Sequence, residues 1–183
     1  MKKIILITFL LIAKVILFAQ NHKELTDTRP LNSVNVNLLG DASMISVNYE
    51  RQFLVSPAFI LTSKIGLGYN EEFQICVFGP CPPPDTYFII PHHITGNLGK
   101  GKHLLEFGLG GTIINGNTTC NRCSPQPYLL YPIVGYRILP LKSDKFNFRI
   151  FGQIPLNANW DGGSVTSSGI FFSPFGLNFG ISF

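Results

Sequence analysis

The chain closes on the stretch Phe175-Gly176-Leu177-Asn178-Phe179-Gly180-Ile181-Ser182-Phe183. Phe175, Leu177, Phe179, Ile181 and Phe183 hold every second position, with Gly176, Asn178, Gly180 and Ser182 between them. A period of two is the period of a β-strand with one apolar face. Soluble domains commonly end in a frayed, polar tail, whereas this strand runs apolar to a final aromatic. Such a strand needs a sheet around it whose two sides differ in the same way.

The same rhythm runs upstream. It predicts eight strands, over 33–39, 44–53, 58–69, 86–98, 103–115, 128–139, 145–156 and 170–183. In the second, Ile45, Val47, Tyr49 and Phe53 share one face, opposite Ser46, Asn48, Glu50 and Gln52. In the fifth, Leu105, Phe107, Leu109 and Ile113 oppose Glu106, Gly108, Gly110 and Thr112. Lys100-Gly101 suits a two-residue hairpin turn. That turn would set Leu98 against His103, Thr95 against Glu106, Ile94 against Phe107 and Phe88 against Ile113. Connections after the second, fourth and sixth strands are short. Those at 70–85, 116–127 and 157–169 are long, and the first, Gly40 to Ser43, is the exception. Long loops therefore gather at one end.

Composition bounds the class. The 183 residues suggest one domain, with 45% hydrophobic residues, 16 Phe and only 13% charged residues. Beyond the N-terminus no run approaches the ~18–20 apolar residues of a membrane helix. Residues 1–19 read as a secretory signal: Lys2 and Lys3 precede an apolar run from Ile4 to Phe18, and Ala19 suits cleavage. The competing reading is a membrane anchor, against which Lys14 and the polar stretch after Gln20 argue. No Cys follows the run to carry a lipid. Removing three Lys with the signal lowers the net charge from +4 to +1, so nucleic-acid binding has no support.

Alternation alone suits both a soluble barrel and a membrane barrel. The non-apolar face is rich in Gly, Ser, Thr and Asn, with single charges at Glu50, Lys64, Glu106, Arg137 and Arg149. A soluble surface carries denser charge, whereas small residues and a few paired charges suit the narrow interior of an eight-stranded barrel. Aromatics near strand ends, such as Phe53, Phe59, Tyr69, Tyr128, Phe146 and Phe171, have the distribution of interfacial girdles. The expected fold is an all-β, eight-stranded, antiparallel up-and-down transmembrane barrel over residues 31–183, with short periplasmic turns and long extracellular loops. Residues 20–30 would form a periplasmic N-terminal segment.

The stretches VNYERQF (47–53), HLLEFGLGGT (103–112), YPIVGYRILP (131–140) and FGLNFGISF (175–183) resemble those of the small eight-stranded outer-membrane barrels of Gram-negative bacteria. These are of the OmpX and OmpA-transmembrane-domain type, with a texture similar to barrels of Bacteroidota. The resemblance implies an outer-membrane location, contact with lipid and lipopolysaccharide, and a monomer. It also implies that Phe175, Leu177, Phe179, Ile181 and Phe183 are the signal read by the barrel-assembly machinery.

Candidate chemistry is sparse. Cys76, Cys81, Cys120 and Cys123 fall in two long loops. Their spacing superficially matches a four-thiolate zinc site, but in an extracellular loop disulfides are expected, with three pairings open. Glu50, Lys64, His93, Glu106, Arg137 and Arg149 would form a polar network in the lumen. His93 with Glu106 could be an acid–base pair, although a plug of ion pairs is the simpler reading. His92 would face lipid, and Pro91 beside it could slip the register. Lipid A-modifying enzymes of this size use a His, a Ser and a carboxylate. His22, His92, His93 and His103 are candidates, none with a matching Ser on its strand. The sequon Asn117-Thr118-Thr119 is taken as incidental, and no phosphate-binding loop occurs. Val77, Phe78, Trp160 and Phe171 could touch lipopolysaccharide or a partner, or simply pack within the loops. No catalytic residue, metal or cofactor is expected. The function expected is a structural or surface-interaction role through the loops; a lipid A-modifying enzyme, a narrow channel and a secreted lipocalin-like carrier are the alternatives.

Overall fold

The computed structural model describes residues 29–72, 79, 83–116, 127–141, 144–160, 164–165 and 170–183. The predicted signal over 1–19, most of the 20–30 segment, Val77, Phe78, the sequon and all four cysteines lie outside the described residues. Eight strands form: β1 (Asn32–Leu38), β2 (Ile45–Ser56), β3 (Phe59–Glu71), β4 (Thr86–Leu98), β5 (His103–Asn115), β6 (Tyr128–Ile138), β7 (Phe146–Gln153) and β8 (Phe175–Ser182). Each pairs antiparallel with its neighbours in chain order, and β8 pairs with β1 to close a barrel. Asn32 and Phe183 exchange two backbone hydrogen bonds, 3.1 and 2.8 Å, so the final residue lies in the closing seam. We call the end bearing both described chain ends and the β2–β3, β4–β5 and β6–β7 turns the lower end.

The registers fix the barrel's girth. Followed round all eight ladders, they return to β1 about 10 residues from the start, a shear that tilts eight strands by about 40°. A barrel of this size has an interior that side chains can fill. They do so with inverted polarity. Asn35, Asn48, Glu50, Lys64, Glu106, Arg137 and Arg149 point inward and are buried, while Val47, Ile65, Leu67, Ile94, Leu105 and Val134 point outward and are exposed.

The interior is layered. Near the upper end, Tyr87, Ile89, Ile114, Leu129, Ile133 and Phe151 make an apolar cluster, into which Val165, Ile170 and Phe172 of the β7–β8 connection fold back. At the lower end, Leu54, Ile60, Leu104 and Leu139 pack together, with Leu31 against them. Between these lies a polar middle.

Several expectations change in detail. The β4–β5 register differs by two residues: Leu98 opposes Leu105, Ile94 opposes Leu109, Thr95 opposes Gly108 and Phe88 opposes Asn115. The connection is wider than a two-residue turn. Gly99 and Gly101 take φ of 148° and 83°, Gly99 N donates to Ala58 O at 3.0 Å, and Leu104 is drawn into the lower apolar cluster. A slip of two leaves every side chain on its face. Pro91 does not shift the register: Ile65–His92 and Gly68–Ile89 lie on one continuous register, and the β5 ladder runs unbroken past it. The last strand starts at Phe175 rather than 170, because Ile170 and Phe172 are buried in the barrel mouth and Ile170 and Phe171 make isolated bridges to Glu72 and Ser164. Strand β7 ends at Gln153, just before Pro155, which has no N–H for the ladder.

Candidate functional site

Strand parity alone brings six charged or titratable groups of six strands into one space, and a turn adds the seventh. The lower half of the polar middle is an ion-pair chain. The Arg137 guanidinium of β6 binds both carboxylate oxygens of Glu50 on β2, and its Nη1 lies 3.7 Å from Glu106 Oε1 on β5. Arg149 Nε of β7 lies 2.5 Å from Glu106 Oε2. Arg149 also stacks over Phe151, 4.1 Å from the ring centroid, and its Nη2 is 3.5 Å from His93 Nδ1.

The upper half is organised by Asp41, which the sequence reading passed over. The connection from Leu39 to Met44 does not stand off the barrel; it turns inward. Leu39, Asp41 and Ala42 take φ of 61°, 65° and 54°. Each such non-glycine conformation costs about 1–2 kcal/mol, and it persists where the surroundings over-determine it. Here they do. Asp41 is fully buried; its carboxylate meets Lys64 Nζ at 2.6 Å, His93 Nε2 at 2.7 Å and the Asn37 amide. Thr112 Oγ1 donates to Asp41 O at 2.8 Å. Asp41 N donates to Gln153 Oε1 at 3.2 Å. Asn70 Nδ2 donates to Ala42 O at 2.5 Å. Strands β1, β3, β4, β5 and β7 thus all grip one turn.

With Asp41 included, the charged groups that meet inside the barrel among the described residues are three acids (Asp41, Glu50, Glu106) and three bases (Lys64, Arg137, Arg149), all buried. The count balances, as a buried set must if no charge is to be left without a partner. Asn and Ser side chains extend the network: Asn35 donates to Ser33 at 3.0 Å, Asn48 to Ser46 at 3.0 Å and Asn147 to Ser182 at 2.9 Å.

The arrangement does not suit acid–base catalysis. The carboxylate against His93 is that of Asp41, while Glu106 is engaged by the two arginines. A carboxylate–His–hydroxyl relay uses opposite ring nitrogens, yet Asp41 and the Tyr131 hydroxyl (3.2 Å) both meet His93 Nε2. Tyr131 in turn meets Thr112 Oγ1 at 2.7 Å.

Two glycines make room for a pair of clusters back to back. Inside, His93 and Tyr131 flank Gly110, where a Cβ would lie 2.3 Å from the Tyr131 ring. Outside, His92 and Tyr128 stack across Gly111, and Tyr128 hydroxyl meets His92 Nε2 at 3.0 Å. His92 therefore faces outward with a partner. His103, also outward, pairs with the Tyr136 hydroxyl.

The remaining singled-out residues sit as follows. Trp160 is half-buried against the upper cluster and donates from Nε1 to Phe172 O at 3.1 Å; Phe171 N donates to Glu71 O at 3.1 Å. Phe175, Phe179, Ile181 and Phe183 are exposed on the outer wall, and Leu177 is partly covered there. Among the described residues no group of His, Cys, Asp and Glu is placed to hold a metal ion. No family, curated protein or solved structure matches the chain.

Proposed function

We propose that the chain is an integral outer-membrane β-barrel protein of the small OmpX and OmpA-transmembrane-domain type, similar in texture to barrels of Bacteroidota. It would be exported by its signal, span the membrane as a monomer, and act structurally or through surface contacts made by its upper loops. The observation that carries the reading is the inverted polarity: charge inside, apolar side chains outside. A soluble monomer rarely exposes a contiguous apolar patch above a few hundred Å². Here the belt runs right round the wall. On β5 the outward residues Leu105, Phe107, Leu109 and Ile113 are apolar; at about 3.4 Å per residue and a tilt near 40°, Leu105 to Ile113 covers about 21 Å of height, close to the band of known membrane barrels.

The same observation disfavours a lipocalin-like carrier, which needs an apolar cavity inside and a polar wall outside. Apolar clusters at both ends and the filled middle disfavour an open channel. The outward His92 and His103 each meet a tyrosine hydroxyl, Tyr128 and Tyr136, rather than a Ser, which disfavours a lipid A-modifying activity at either.

The test is fractionation with heat-modifiable electrophoresis. The protein should sediment with outer membranes and migrate differently before and after boiling, as intact barrels do. Recovery in a soluble fraction, with no heat-dependent shift, would refute the reading. Lipid A spectra should be the same with and without the gene.

A further inference from the structure

The outer wall is apolar but not featureless. Across β1–β4 it carries a groove of about 530 Å³, walled by Val34, Val47, Tyr49, Ile65, Leu67 and Ile90. The groove has a structural origin. Its floor includes Gly66, whose position faces inward against Asn48 with no space for a Cβ. Beside it, no pairing links Gly66 and Leu67 to β4, where Pro91 lacks an amide hydrogen.

Directly toward the lower end, three of these strands, β1, β2 and β3, carry a polar band. Asn32, Arg51 and Ser63 are cross-strand neighbours on one register line. Tyr49 hydroxyl and Arg51 Nη1 converge on Asn32 Oδ1, at 2.8 and 3.0 Å. Arg51 and Ser63 are exposed. That hydrogen bond uses one of the five donors of the guanidinium, whose planar fork suits phosphate oxygens. Asn32 bonds to Phe183, so the band lies at the level of the closing seam. An apolar groove above a cation and a hydroxyl has the chemistry of one kind of molecule, an anionic head with an acyl chain rising from it.

We propose that this face is a binding site for a phospholipid of the periplasmic leaflet: the phosphate on Arg51 and Ser63, one acyl chain in the groove. The inference rests on the membrane reading above. The site is selective where an annular lipid is not, because it joins a groove of ligand size to a fixed cation at the matching depth.

The experiment uses the full mature barrel, purified folded, stripped of lipid in detergent and titrated with phosphatidylglycerol. Native mass spectrometry reads lipid retained per barrel. One phosphatidylglycerol is expected to remain on the wild type. Arg51→Gln should weaken retention at least fivefold, and Val47→Trp, which fills the groove from the outer face, should abolish it. Ile150→Trp on the opposite wall should leave it unchanged. Diacylglycerol, which lacks the phosphate, should be retained no better than by Arg51→Gln. Equal retention by all variants, equal retention of the two lipids, or a dimer in place of the lipid adduct would overturn the proposal. Heat-modifiable migration and vesicle insertion are measured on the same samples. A chain that inserts but retains no lipid overturns this site alone, and one that never inserts overturns the membrane reading with it.

Discussion

Replacing Arg137 with methionine tests the interior ion-pair chain most directly. Arg137 is completely buried and binds Glu50 through both carboxylate oxygens, with Glu106 3.7 Å away. Met keeps much of the volume but strands Glu50, because Arg149 still holds Glu106 at 2.5 Å. Breaking a buried pair from one side costs about 3–5 kcal/mol, most of it the unpaired charge left behind. The double variant Arg137→Met with Glu50→Gln leaves the Glu106–Arg149 pair intact and removes the orphaned charge. It should recover more than half of the loss, since replacing a whole buried pair by neutral groups is often close to neutral. Urea unfolding of refolded barrel in lipid vesicles measures both. Heat-modifiable mobility reports the folded fraction, and fluorescence of Trp160, the single tryptophan, reports on the upper cluster. A loss under about 1 kcal/mol in Arg137→Met, or strict additivity in the double variant, would refute the claim that Glu50 and Arg137 act as a sealed pair.

Gly110→Ala places a methyl 2.3 Å from the Tyr131 ring and 2.7 Å from His93; both neighbours are buried, so the overpacking should cost about 1–3 kcal/mol in the same assay. Gly101→Ala meets no atom within 4 Å and should cost only the price of its φ of 83°, about 1–2 kcal/mol. In planar bilayers the folded barrel should give no stable, large conductance steps, because apolar clusters occupy both ends of the interior; reproducible open levels would contradict a filled lumen. Deleting Phe183 removes both hydrogen bonds to Asn32. It should lower the amount of barrel in outer membranes far more than it lowers the yield of refolding in detergent; equal losses would mean that Phe183 matters only as part of the wall.

Much of the fold was legible because strand parity is a local property. Glu50 and Lys64 are separated in sequence, yet each alternates along its strand with apolar, outward-facing residues, so each could be assigned to the interior before any partner was known. Parity survives a two-residue slip, which is why the β4–β5 register could differ while Ile94 and Glu106 kept their faces. Asp41 was not legible by that logic. It lies in the six-residue connection from Leu39 to Met44, which has no alternation, and its inward turn depends on left-handed φ at Leu39 and Ala42, residues that seldom adopt it. What holds the turn comes from five separate strands, and no spacing in the chain encodes that convergence. The return of Ile170 and Phe172 into the mouth was hidden for the opposite reason. Their alternation continues that of Phe175 to Phe183, and only the finite height of the barrel ends the strand. His92 looked like an unfavourable lipid-facing polar group because its partner Tyr128 lies two strands away.

The seam between Asn32 and Phe183 has a kinetic consequence. Strands β1 and β8 stand about 150 residues apart in the chain, so closing them carries the largest loop entropy in the molecule. Every other ladder joins sequence neighbours and can zip early. Until the seam forms, the curved sheet has two free edges, each a row of unsatisfied backbone groups open to any passing strand. Such topology folds slowly and is aggregation-prone on the way. Both edges disappear in one final step, in which β1 and β8 meet and Asn32 joins Phe183.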